Sequence, residues 1–187
     1  MYSTLINNQK EFKFKKGDST TMVEFDKLYK ELFNRTWIVG GREYNLNDLG
    51  WVRGYNTRKS ALGICEYGKY NKLIKKVFIS KTLLNKNLDK PLDFEDTIRH
   101  EFAHAIDVEM RGHSNHDYHW QSICRAVGAD DSRLHEGFLV KPKGKYSATC
   151  VKCGNDYQKY RKPTRQSSCK CIGGFNADYA LDWKQNY

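Results

Sequence analysis

The first sustained apolar pattern falls on Val23, Leu28, Leu32 and Phe33, a helical spacing that follows Thr21 and Glu24. Thr-x-x-Glu is a capping box, in which the two side chains satisfy backbone N–H groups of the first turn reciprocally. A helix is therefore expected to start after Thr21 and to stop at Asn34. From Trp37 to Ser80 the period shortens. Trp51–Tyr55, Ala61–Cys65 and Lys76–Ser80 are short β-prone runs, separated by the turn-rich or charged segments 56–59 and 66–69. Three strands this close predict a small, mainly antiparallel sheet. The helical period then returns. Asp93 is expected to cap a second helix, running from about Phe94 to Met110, with Glu95 and Asp96 at its positive end. Gly112 breaks it. A third helix is expected from about Asp117 to Val127, with Gly128 as its C-terminal stop.

The flanks lack such patterns. Residues 1–18 read as a loose polar arm, and residues 129–145, with Gly137, Pro142 and Gly144, as a linker. The pattern predicts an α+β fold: a first helix, a small sheet, a helix pair and a short C-terminal module. The organisation expected is an arm over 1–21, a main domain over 22–140 and a basic module over 141–187.

Composition adds a core and removes a membrane. Hydrophobic residues make up 39% of the chain and aromatic residues 13%. No stretch approaches the roughly 20 apolar residues a membrane helix needs, and the N-terminus has no apolar signal region. The expectation is a soluble, intracellular, cytoplasmic protein with no membrane partner.

Charge separates the two ends of the chain. The whole sequence carries +10. Residues 1–140 hold 22 basic and 19 acidic side chains, whereas residues 141–187 hold 10 and 3. A short module this basic points to a polyanion, nucleic acid first. Lys152, Lys159, Arg161, Lys162 and Arg165 are its candidate phosphate contacts, interleaved with Tyr146, Tyr157 and Tyr160 that can stack on bases or pack the module itself.

The same module holds Cys150-Val-Lys-Cys153 and, after fifteen residues, Cys169-Lys-Cys171. In a chain without a secretory signal, two close cysteine pairs read as four ligands of a structural zinc ion rather than as disulfides. Cys65 and Cys124 sit in apolar surroundings and read as buried small side chains.

The main chemistry lies at His100-Glu101-Phe102-Ala103-His104. Residues four apart share a helix face, so both imidazoles can reach one zinc ion. Glu101 is turned about 100° away and can hold a water without ligating the metal. Zinc lowers the pKa of a bound water to about 7, and a nearby carboxylate can take its proton as the water attacks a carbonyl. Catalytic zinc usually takes three protein ligands. Glu109, on the same helix, points away from His104. Glu136 is a distant candidate, and spacing leaves His113, His116 and His119 open. Asp107 reads either as an orienting partner of a ligand histidine or as a helix-surface residue.

These residues resemble the SprT-like metallopeptidases. His116-Asp117-Tyr118-His119-Trp120, followed by Gln121 through Gly128, is similar to that family's segment after HExxH: a histidine, an aromatic four positions on, and a helix ending in Gly. The segment from Arg58 to Cys65, Val77-Phe78-Ile79-Ser80, Ala105 and Asp107 are also similar. The resemblance implies His116 as third zinc ligand beside His100 and His104, with Glu101 as general base. It also implies a protein substrate at or near DNA, including proteins crosslinked to it. Two departures stand out. The position of His119 is often acidic in the family, and Cys169-x-Cys171 has one spacer where the family's ribbon has two. The reading is thus a zinc metallopeptidase with one catalytic and one structural zinc and with DNA as partner. Its rival is a non-catalytic nucleic-acid-binding protein whose zinc sites are both structural, which would have no need of Glu101.

Overall fold

The computed structural model describes residues 14, 19–68, 74–132 and 140–187. The chain divides into two compact units, Met1–Val140 and Lys141–Tyr187. Most of the polar arm and residues 133–139 of the linker, with His135 and Glu136, lie outside the described residues. Of the arm, Phe14 is buried in the main core, and the backbone N–H of Thr20 donates to the Leu88 carbonyl at 2.7 Å.

In the first unit, α1 (Met22–Phe33) opens with the expected capping box at Thr21 and Glu24 and ends at Asn34. Its buried face is Phe25, Leu28, Tyr29, Leu32 and Phe33, whereas Val23 is 80% exposed. Phe25 and Tyr29, not Val23, complete the i, i+3, i+4, i+7 stripe. A hairpin of β1 (Thr36–Val39) and β2 (Arg42–Asn45) follows, turned by Gly40 and Gly41 at φ of 56° and 76°. Two consecutive residues at positive φ make the turn that suits the strand twist.

β3 (Val52–Asn56), β4 (Gly63–Tyr67) and β5 (Lys75–Ser80) form one sheet in the order β3-β5-β4. β4 and β5 pair antiparallel, but β3 and β5 pair parallel. The expected mainly antiparallel sheet is thus half parallel. The physical reason is burial: β5 carries the fully buried Val77 and Ile79, so it takes the centre of the sheet although it comes last in the chain.

A short helix α2 (Lys81–Leu84), capped by Ser80, leads to α3 (Pro91–Arg111). The helix starts earlier than expected and is not capped by Asp93. Lys90 is the N-cap, without a side-chain cap bond, and Asp93 lies inside the first turn. Pro91 explains the shift, because its fixed φ and missing N–H suit the first helical position. Phe94, Ile98, Phe102, Ala105 and Ile106 bury the apolar face of α3. Phe102 stacks on Tyr29 with ring centroids 6.3 Å apart. α4 (Tyr118–Val127) begins at Asp117, whose carboxylate accepts the Trp120 N–H, and ends at the left-handed Gly128. Among the described residues, no helix is long and apolar enough to cross a membrane.

The second unit is a three-stranded sheet in the order β7-β6-β8, formed by β6 (Tyr146–Thr149), β7 (Asp156–Lys159) and β8 (Lys184–Gln185). Its core is small, built on Ala148, Cys150, Cys169 and Leu181.

Candidate metal centres

The face of α3 opposite its apolar stripe carries His100 and His104. After Gly112 the chain doubles back, and the junction before α4 brings His116 to them. Its Nε2 lies 3.2 Å from that of His104 and 3.3 Å from that of His100. Donors at about 2.0–2.1 Å from a tetrahedral zinc ion stand about 3.3–3.4 Å apart, so this set fits zinc. The Ser114 hydroxyl sits 2.8 Å from His104 Nδ1, which leaves Nε2 toward the cluster. Ser114 is itself held by Tyr67, whose hydroxyl accepts its N–H at 3.2 Å. Burial, then the neighbouring His100 and His116 rings, lower the pKa of His104 to about 3. The ring is neutral at pH 7, the form that ligates metals. Beneath the cluster lies the fully buried Trp120, its ring centroid 4.7, 5.0 and 4.5 Å from those of His100, His104 and His116.

Glu101 is 8% exposed and sits between α3 and β4. Burial pushes its carboxyl up to about 8, against the pull of the Cys65 backbone N–H that donates to it. The strand can come this close because residue 63 is glycine. A Cβ there would stand 2.7 Å from Glu101 Cγ, 2.8 Å from its Oε1 and 2.8 Å from Thr97 Cγ2. Gly63 thus shapes the seat of the carboxylate.

The other sequence candidates lie elsewhere. His113 is exposed, with Nδ1 3.3 Å from the Arg111 carbonyl. His119 turns Nδ1 to Asp107 at 2.8 Å. Glu109 accepts from Trp51 Nε1 and pairs with Lys75, both at 2.8 Å. Asp107 fits neither reading made from sequence. It is fully buried, not a surface residue, and it binds Arg111 and His119 rather than a ligand histidine. Cys124 is buried and Cys65 half-buried, both unpaired thiols. Ser114 and Tyr67 carried no local signal in the sequence, because they meet across 47 residues.

In the second unit the four cysteines converge. Sγ of Cys150 and Cys171 are 3.7 Å apart, and those of Cys153 and Cys169 are 3.5 Å apart. Sulfurs at about 2.3 Å from one tetrahedral zinc stand about 3.7–3.8 Å apart, so this set fits as well. The single spacer between Cys169 and Cys171 is taken up by a tight turn, in which the Cys171 N–H donates to Cys169 Sγ at 3.4 Å. Left-handed Gly154 and Gly173 follow the two pairs. The Tyr157 hydroxyl, 2.9 Å from Cys169 Sγ, brings that thiol down to about 6, while the thiols of Cys169 and Cys153 push Cys171 up to about 12. Four thiols this close cannot all ionise unless a cation joins them. Tyr157 and Tyr160 are engaged internally, Tyr160 through the Pro142 carbonyl at 2.8 Å. Lys152, Lys159, Arg161, Lys162 and Arg165 are all exposed.

A helix-borne His-Glu-x-x-His with a third histidine returned from the junction before α4 is the arrangement of a metallopeptidase-like domain. The model of the SprT-like family matches residues 24–139, and the chain belongs to that family. No curated protein and no solved structure gives a match to the chain.

Proposed function

We propose that this chain is a zinc-dependent metallopeptidase, with zinc held by His100, His104 and His116 and with Glu101 as general base. The observation that carries this reading is the convergence of three Nε2 atoms, two from α3 and one from the junction after it, with the buried carboxylate of Glu101 next to His100 on α3. Zinc bound there supplies Lewis acidity, polarising the scissile carbonyl and lowering the pKa of a water to about 7. A zinc cation at the histidines would favour the ionised form of Glu101 against the effect of burial, and that carboxylate takes the proton of the attacking water. Glu101 then gives that proton to the amide nitrogen as the C–N bond breaks. The Cys65 N–H and the bare Cα of Gly63 hold the carboxylate in its seat. Ser114 holds His104 in the tautomer that points Nε2 inward.

The second unit is read as a structural zinc ribbon with Cys150, Cys153, Cys169 and Cys171 as ligands. Four thiolates and one Zn²⁺ together add about −2, which leaves residues 141–187 basic. Lys152, Lys159, Arg161, Lys162 and Arg165 then serve as contacts to DNA phosphates, and the substrates are proteins at or crosslinked to DNA. The excess of 10 basic over 3 acidic residues supports this part, together with family membership.

Metal analysis and a cleavage assay test the reading together. Protein purified without added metal is expected to hold two zinc ions and to cleave an unfolded protein, faster when DNA is present. Cys153→Ser should lower the count to one. A count of one in the wild type, unchanged by that substitution, would rule out the ribbon site. Charge reversal of Arg161 and Lys162 should weaken DNA binding and reduce its log–log salt slope by about 2. Binding insensitive to both salt and these changes would remove DNA from the proposal.

A further inference from the structure

Between the C-terminal end of α3 and the start of α4 lies a chain of charged side chains that the proposed reaction does not use. Asp107 is 0% exposed. Its carboxylate accepts Arg111 Nε at 2.7 Å and Nη2 at 2.6 Å, and faces His119 Nδ1 at 2.8 Å. The same guanidinium reaches on to Asp117, donating at 2.8 Å from Nη1 and 3.1 Å from Nη2. Asp117 caps α4 through the Trp120 N–H at 3.1 Å. His116 is the residue just before Asp117, and Trp120 is the ring under all three histidines.

A buried carboxylate is tolerated only when it is fully paired, and the partners of Asp107 come from both helices. Arg111 suits the link because its planar fork binds two carboxylates with fixed geometry. The junction holding His116 is thereby tied to α3 at two points, through Asp117 and through His119. The triad needs this tie, since His116 alone of the three histidines stands outside the α3 helix.

We propose that Asp107 and Arg111 are positioning residues for the metal centre, acting through Asp117 and His119 to hold His116 within reach of the ion. The inference rests on the zinc reading above. Its consequence is a metal affinity set by groups that never touch the metal. Supporting partners of metal ligands typically change affinity about 10–100-fold when removed.

The test is zinc retention by the full-length chain against increasing chelator, with the four-cysteine site as internal reference. Asp107→Asn and Arg111→Gln are expected to weaken the histidine site at least 10-fold while the cysteine site holds its zinc. Asp117→Asn guards against simple misfolding. Asparagine caps a helix as well as aspartate does, so α4 remains capped while Arg111 loses one of its two charged partners. It should also lower affinity, with far-ultraviolet circular dichroism unchanged. Equal affinity in wild type and all three variants overturns the proposal, as does parallel loss from both sites. A wild type that takes no zinc at the histidines overturns the metal reading itself, which is a different result.

Discussion

Glu101→Gln is expected to keep two zinc ions per chain and to lose proteolysis by about 10²–10⁴-fold, the usual contribution of a positioned acid–base group. The substitution preserves size, so the tight contact with Gly63 is unchanged and the amide oxygen still accepts the Cys65 N–H. It removes the group that takes the proton. Folding should not suffer, because glutamine fills the same space and keeps the contact to the Cys65 N–H. His100, His104 and His116 are untouched, and so is the DNA binding proposed for residues 141–187. Cleavage at the wild-type rate by pure Glu101→Gln protein would show that another group accepts the proton. If neither form cleaves any protein, with or without DNA, the binding-module reading moves ahead.

His116→Ala is expected to lower the zinc count from two to one and to abolish cleavage. Two imidazoles remain on α3, one fewer than catalytic zinc sites use. His113→Ala, three residues earlier, should keep both ions, since that side chain is exposed and faces the Arg111 carbonyl rather than the cluster. The pair of variants is informative because both lie in the same connection between α3 and α4. The opposite pattern would transfer the third ligand to His113.

The parts of this molecule legible in the sequence are those written in local rules. The Thr21–Glu24 box, the Gly128 stop, the helical spacing of His100 and His104 and the paired cysteines each depend on residues a few positions apart. Spacing alone left three histidines open as third ligand, and only family resemblance singled out His116. What escaped depends on distance along the chain. The parallel pairing of β3 with β5 follows from which strand the core buries most deeply, and no local period encodes that. Asp107 reads in the sequence as a ligand's orienting partner or as a surface residue, because its contact with His119 exists only once α4 folds back on α3. The β1–β2 hairpin is the exception, since Gly40-Gly41 between alternating residues was a readable turn signal.

The three histidines lie within seventeen consecutive residues, from His100 to His116, on α3 and the junction that follows it. Glu101 belongs to that stretch too, but its seat does not: Gly63 and the Cys65 N–H come from a strand laid down much earlier in the chain. Loading with metal and readiness for chemistry are therefore separable properties. A chain with a side chain at position 63 would still present all three histidines and would count as intact in any assay of metal, while its base stood out of place. Position 63 therefore reports on the placement of the carboxylate, and metal content does not.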